Sequence, residues 1–212
     1  MTDDEVRAEY VQVMGPDLGN LQHELQNEVA WLLRKWNEFG ELYKDDHDQI
    51  ELLNRVASNF FHFLQTWFYE DAMLHISRLT DAPETGGRSK QANLTVMRLP
   101  LVISDATLKA NVEASVDQAR ARSQFARDWR NKRIAHADLD VRHKGYAAAL
   151  PAVTRKDIEE SAEALSKPVR LVNEHFGHQS LLWTLSDPWG VSSLVYHLKR
   201  AVELENRDRF QT

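Results

Sequence analysis

Cysteine is absent from the sequence. That removes disulfide scaffolds, cysteine nucleophiles and every zinc site built on thiolate. Glycine (8) and proline (6) are scarce among 212 residues, which argues against an all-β chain of tight turns and against a disordered one. No run approaches the roughly 18 apolar residues that mark a membrane span. The opening Met1–Glu5 is polar and acidic, so neither an anchor nor a secretory leader is expected. A basic excess is missing too. The formal net charge is -6, whereas a protein that coats nucleic acid is expected to be basic. Any nucleic-acid site must then be a local patch on an acidic body. There is no Gly-rich phosphate loop, serine-nucleophile motif or dinucleotide fingerprint. These absences predict a soluble cytoplasmic protein that needs no membrane.

What is present has a helical period nearly throughout. The length suits one domain, 1–212, with a core that folds without staples. Leu18, Leu21, Leu25, Val29, Leu32 and Trp36 recur at helical spacing and predict a helix over Asp17–Tyr43. A second helix is expected over Asp48–Leu79. It is apolar on most sides, as befits the central helix of a bundle or one that also carries a subunit interface. Residues 81–88 read as a surface loop, and Asn93–Leu99 as a short helical piece ending at Pro100. A third long helix is expected over Asp105–Ile134, then a loop through Tyr146. Thr154 with Asp157 is a capping pair opening a helix over Arg155–Phe176, and Gly177 fits its C′ position. Asp187-Pro188 opens a last helix to Arg207. The expected fold is an all-α antiparallel bundle of five to six helices.

The third helix carries Arg120, Arg122, Arg127, Arg130, Lys132 and Arg133, six cations in fourteen residues diluted only by Asp128. One reading is a solvated face whose late cations suit the helix dipole. The other is a phosphate-binding patch, because arginine contacts phosphate oxygens in pairs.

The string Trp129-Arg130-Asn131-Lys132-Arg133-Ile134-Ala135-His136 favours the second. Here the sequence resembles the HEPN superfamily of all-α domains, whose signature is an arginine, a polar residue such as asparagine, a few more residues and a histidine. The stretch from Tyr69 to Asp81 fits a second helix of the abortive-infection branch, and 128–138 fits its motif helix. The resemblance spans roughly residues 20 to 175. It implies a metal-independent endoribonuclease, with no cofactor. It implies a homodimer whose site forms where two motif helices meet, in antiviral defence or as a toxin, with an antitoxin or defence protein as partner. Another branch carries a modifiable tyrosine two residues after the histidine; here that position is Asp138.

Geometry bears on the two-chain site. At about 100° per residue, Arg130 and His136 point about 120° apart on one regular helix. A helix end near Ile134, or a partner chain related by a two-fold axis, brings them together. RNA supplies its own nucleophile, the 2′-hydroxyl. His136 would act as general base or acid, Arg130 would stabilise charge on the phosphate oxygens, and Asn131 would position phosphate or imidazole. Arg127, Lys132, Arg133 and Trp129 are the candidate RNA contacts, Trp129 by stacking on a base or else by packing in the bundle. His136 has a structural alternative, bonding to backbone carbonyls at a helix end.

Glu70, Asp71 and Arg78 are charges on an otherwise apolar helix. Asp71 and Arg78 are two turns apart on one face. Either they form a structural ion pair, or Asp71 or Glu70 orients a motif residue. His136, Asp138, Asp140 and His143 would align as metal ligands in an extended segment, but no fixed-geometry motif backs them and no metal is assigned. A non-catalytic HEPN-like module that binds RNA or nucleotide, or that only dimerises, is the alternative function.

Overall fold

The computed structural model describes residues 2–86, 90–134, 152–178 and 189–209, with backbone alone at 133–134 and 208–209. It is all-α, apart from a two-residue antiparallel pairing of β1 (Glu84–Thr85) with β2 (Gln91–Ala92). The helices are α1 (Asp3–Met14), α2 (Pro16–Leu42), α3 (His47–Leu79), α4 (Leu99–Val102), α5 (Ala106–Arg122), α6 (Gln124–Trp129), α7 (Arg155–His175) and α8 (Val191–Arg209). The chain forms two compact units, Met1–Leu32 with Asp71–Leu181 and Leu33–Glu70 with Leu182–Thr212. The boundary between them falls inside α2 and α3.

In the first unit α5 packs along α7. Leu25, Val29, Ile76, Leu99, Val112, Ile158, Leu165 and Val169 are essentially solvent-free. A polar network runs through this core. Gln22 donates to Asn173 Oδ1 at 2.9 Å and to the Val169 carbonyl at 2.8 Å. The Tyr10 hydroxyl and Asn173 Nδ2 both donate to Gln26 Oε1. Buried amides with partners of this kind fix one register of α2 against α7, since a slip would leave them unbonded.

No helix is expected before Asp17, yet α1 is formed. Thr2 and Glu5 close a reciprocal capping box. Tyr10 is the one buried side chain of this helix, too little to register as a period. Gly15, at φ 82°, ends it. Gly19 lets it lie close on α2: a Cβ there would stand 2.6 Å from the Tyr10 carbonyl oxygen.

Other boundaries differ for local reasons. Pro100 sits in the first turn of α4 rather than after a helix, because its missing N–H is not needed there. The expected helix over 105–134 is three pieces: α5, α6 and a π-helical turn at Arg130–Ile134. Ser123 divides the first two at φ -94°, ψ 8°. The Arg122 carbonyl there accepts from Ser161 Oγ of α7 at 3.1 Å. That bond is tertiary and leaves no trace in the helical period. The capping box of Thr154 with Asp157 is present, and the Thr154 hydrogen bonds hold the Asp157 carboxyl below its usual range. Gly177, at φ 72°, ends α7 in a Schellman motif, with His178 N–H donating to the Asn173 carbonyl at 2.9 Å. The Asp187-Pro188 start of the last helix lies outside the described residues.

The second unit is built from the end of α2, α3 up to Glu70, and α8. Leu42, Leu52, Leu53, Phe61 and Val195 form its core, with Val191, Leu198 and Val202 of α8 packed on it. Trp36 and Phe39 stack at 4.4 Å, and Tyr69 meets both edge-on. Helical dihedrals break at Ala57 (φ -162°, ψ 68°), so α3 is two helical segments in sequence.

Tyr43 Oη donates to the Phe61 carbonyl at 2.6 Å, and burial pushes its hydroxyl up to about 12. A raised phenol favours the protonated fold. The stabilisation is therefore complete below pH 10 and is lost as pH rises from about 10 to about 12. Tyr43→Phe should cost about 1 kcal/mol at neutral pH and soften that alkaline loss. Urea denaturation at stepped pH measures both; an unchanged alkaline profile would contradict the role of Tyr43.

Candidate active site

The end of α3 is fixed before any motif residue reaches it. Thr80 is buried and donates to the Ile76 carbonyl at 3.0 Å. Thr95 Oγ1 is shared between the Leu79 and Asp81 carbonyls, at 2.8 and 3.0 Å, so the chain leaving α3 is pinned. Thr80 and Asp81 then present a hydroxyl oxygen and a carboxylate side by side.

Two arginines three residues apart meet them. Spacing of three puts Arg127 and Arg130 on the same side of a helical turn. Arg127 Nη1 donates to Thr80 Oγ1 at 2.8 Å, while Nη2 donates to the Arg120 carbonyl at 2.6 Å and to Gln124 Oε1 at 2.8 Å. Arg130 Nη1 donates to both Asp81 oxygens, at 2.7 and 2.6 Å, and Nε donates to Asn131 Oδ1 at 3.2 Å. Arg130 and Asp81 are largely buried as side chains, 21% and 26% exposed. Burial is the first cause of a lowered Arg127 affinity for its proton, and the neighbouring Arg120 adds to it; Asp81 and Asp128 oppose it, and Arg130 lowers it further. Cations also suit this place because the C-terminus of α3 carries negative partial charge.

Arg130 opens the π-helical turn, Arg130–Ile134. A π-turn is rare and is frequently found at functional sites. Asn131 and Lys132 are exposed on it, and Trp129 before it is half-buried. The side chain of Arg133 lies outside the described residues. So do His136, Asp138, Asp140, His143 and Tyr146. The structure thus brings together Arg127, Arg130 and Asn131. Among the described residues the carboxylate on Arg130 is Asp81. Asp71 stands ten positions earlier, roughly 15 Å of helix from it. Asp71 and Arg78 are exposed on α3, and Glu70 is half-buried.

Asp81 and Thr80 carry no signature by themselves. The one signal is electrostatic: a carboxylate just past a helix C-terminus is unfavourable there unless a cation answers it.

The model of the AbiU2 family, a HEPN-type abortive-infection family, matches residues 15–201. The chain belongs to that family. No curated protein and no solved structure matches it. The match takes in α2 through the greater part of α8 and leaves out α1. It places the arginine pair and Asp81 inside the HEPN AbiU2 region, and makes this an abortive-infection HEPN-type protein.

The Arg130–Asp81 pair lies between a surface and a buried one, so its coupling should be about 1–2 kcal/mol. A double-mutant cycle with Arg130→Gln and Asp81→Asn, read by thermal unfolding, measures it. A coupling near zero would mean the two side chains are not held together in solution.

Proposed function

We propose that the protein is a metal-independent endoribonuclease with a composite site shared by two chains, serving as a toxin in antiviral defence. The observation that carries this reading is the arginine at the head of the π-turn. Its Nη1 and Nε, on different edges of the guanidinium, are bonded to Asp81 and Asn131. A guanidinium whose plane is fixed in this way is an electrostatic device for phosphate. Pre-organisation matters because a freely rotating arginine would lose entropy on binding.

In the proposed reaction the 2′-oxygen of one nucleotide attacks the adjacent phosphorus, and the bond to the 5′-oxygen breaks. His136 of one chain takes the 2′ proton and the second copy gives one to the leaving oxygen. Arg130 stabilises the pentacoordinate phosphorus. Asn131, tied to Arg130, keeps the guanidinium from turning. The products are a 2′,3′-cyclic phosphate and a 5′-hydroxyl, and DNA, which lacks the nucleophile, is refused. The chain supplies every proton transfer from its own side chains, so no cofactor is proposed. Lys132 and Arg127 contribute positive field, and an antitoxin or defence protein is the partner that restrains the activity.

The internal bonds of both arginines favour a second reading, in which the cluster is architectural and the module binds RNA without cutting it. One comparison separates the two. Wild-type protein and His136→Ala are incubated with single-stranded RNA in EDTA. Cleavage lost in the variant is the expected result. Equal binding with no cleavage by either protein would favour the second reading, and cleavage by both would remove His136 from the mechanism.

Binding should also weaken with salt, because each neutralised phosphate releases counterions, with a log–log slope near -0.7 per contact on a single strand. Lys132→Ala should flatten that slope by roughly one contact. A slope unaltered by Lys132→Ala would place RNA elsewhere.

A further inference from the structure

A helix leaves the carbonyls of its last turn without partners of their own. In α3 these belong to residues 76–79, and each one is answered. Thr80 Oγ1 donates to the Ile76 carbonyl at 3.0 Å, and the Thr80 N–H donates to that of Ser77 at 3.2 Å. The Asp81 N–H donates to the Arg78 carbonyl at 3.2 Å. The Leu79 carbonyl is served from sixteen residues on, by Thr95 Oγ1 at 2.8 Å. The carbonyls that follow are taken up from the same segment. Thr95 Oγ1 also reaches that of Asp81 at 3.0 Å, and Asn93 Nδ2 donates to that of Ala82 at 2.8 Å. The Asn93 N–H and Arg98 Nη1 donate to that of Pro83, at 2.9 and 3.0 Å. Residues 93–98 are thus a strap laid along residues 79–83.

The strap is itself fixed. Thr95 Oγ1 caps the 3-10 turn Val96–Arg98 by accepting from the Met97 N–H at 3.3 Å. Val96 and Leu99 are solvent-free, which roots that turn in the core of the first unit.

Helix α7 ends by another route. Gly177 takes a positive φ, and the backbone closes on itself. After α3 the sequence runs Thr80-Asp81-Ala82-Pro83, with no glycine and no positive φ. The cap is imported instead, and the donor that brings it also grips the backbone of residue 81. That residue carries the carboxylate to which Arg130 Nη1 donates twice. Thr95 has no exposed surface, so it meets no substrate. Its hold on the site passes through Asp81.

We infer that Thr95 is a positioning residue. By holding the Leu79 and Asp81 carbonyls it sets the Asp81 carboxylate, and through it the plane of the Arg130 guanidinium. The bearing of Thr95 on catalysis rests on the ribonuclease reading; its bearing on the Arg130–Asp81 pair does not.

Two readouts on the full chain test this. Thr95→Val keeps the shape and removes the hydroxyl, and Thr95→Ser keeps the hydroxyl; helical circular dichroism checks that both fold. The first readout is the Arg130–Asp81 coupling, from the double-mutant cycle repeated in each background. It should fall by more than half with valine and hold its wild-type value with serine. A general loss of packing lowers all four corners of the cycle alike and cancels. The second readout is RNA cleavage in EDTA. Thr95→Val should lower kcat roughly 10- to 100-fold with KM nearly unchanged, because a guanidinium off its aim is felt at the pentacoordinate phosphorus. Thr95→Ser should restore most of that loss.

A coupling untouched by Thr95→Val overturns the inference. So does a lowered coupling with kcat unchanged, or a serine variant that loses the coupling as valine does. If valine unfolds the chain, the serine variant still decides, since a role vested in the hydroxyl requires it to keep the coupling. A wild type that cuts no RNA removes the ribonuclease reading alone, and the coupling then decides the inference by itself.

Discussion

A single guanidinium, that of Arg127, ties together the backbone around the motif. It lies one turn past the Ser123 break and donates back to the Arg120 carbonyl, which the last turn of α5 leaves open. The same group donates across to Thr80. It therefore closes a helix end and attaches that end to α3 at once. Thr80 can accept it because its own hydroxyl proton goes to the Ile76 carbonyl. Arg130 then meets Asp81 in the adjacent position, and the π-turn starts from a fixed point. Loss of the Arg127 contacts would free the direction of α6 and, with it, the aim of Arg130.

This arrangement gathers a cationic stretch within a chain of net charge -6. Positive groups are gathered in one stretch and partly neutralised inside the molecule by Asp81 and Asp128, so the folded state does not carry them as bare repulsion. Burial is the largest cause of the lowered proton affinity of Arg127, and the neighbouring Arg120 and Arg130 add to it. Acidic residues elsewhere disfavour non-specific coating of nucleic acid.

Legibility in the sequence followed the range of the forces involved. Periodicity reported α2, α3 and α7, because each buries a recurring face, and capping chemistry reported Thr154, Asp157 and Gly177, because those bonds reach only three or four residues. Arg130 and Asn131 were readable as a short string. Their support was not. Asp81 is distant in sequence from Arg130, and Ser161 from the Arg122 carbonyl it serves, so neither the break at Ser123 nor the clamp on the motif arginine leaves a local pattern. The helix α1 is silent for the opposite reason: it buries so little that its period has nothing to repeat. His136 and the loop after it lie outside the described residues, so their placement rests on the family signature alone.

Gly19 sets a steric condition on where the chain's first helix can lie. The AbiU2 match begins at residue 15, after α1, and the Tyr10 carbonyl occupies the space that any side chain at position 19 would need. One methyl group is enough to push the appended helix off its seat. In a relative that carries alanine or anything larger at the corresponding position, an N-terminal extension must dock at another angle or not dock at all. A glycine at this one position is thus the requirement, visible in a bare sequence, for keeping this helix where it lies here.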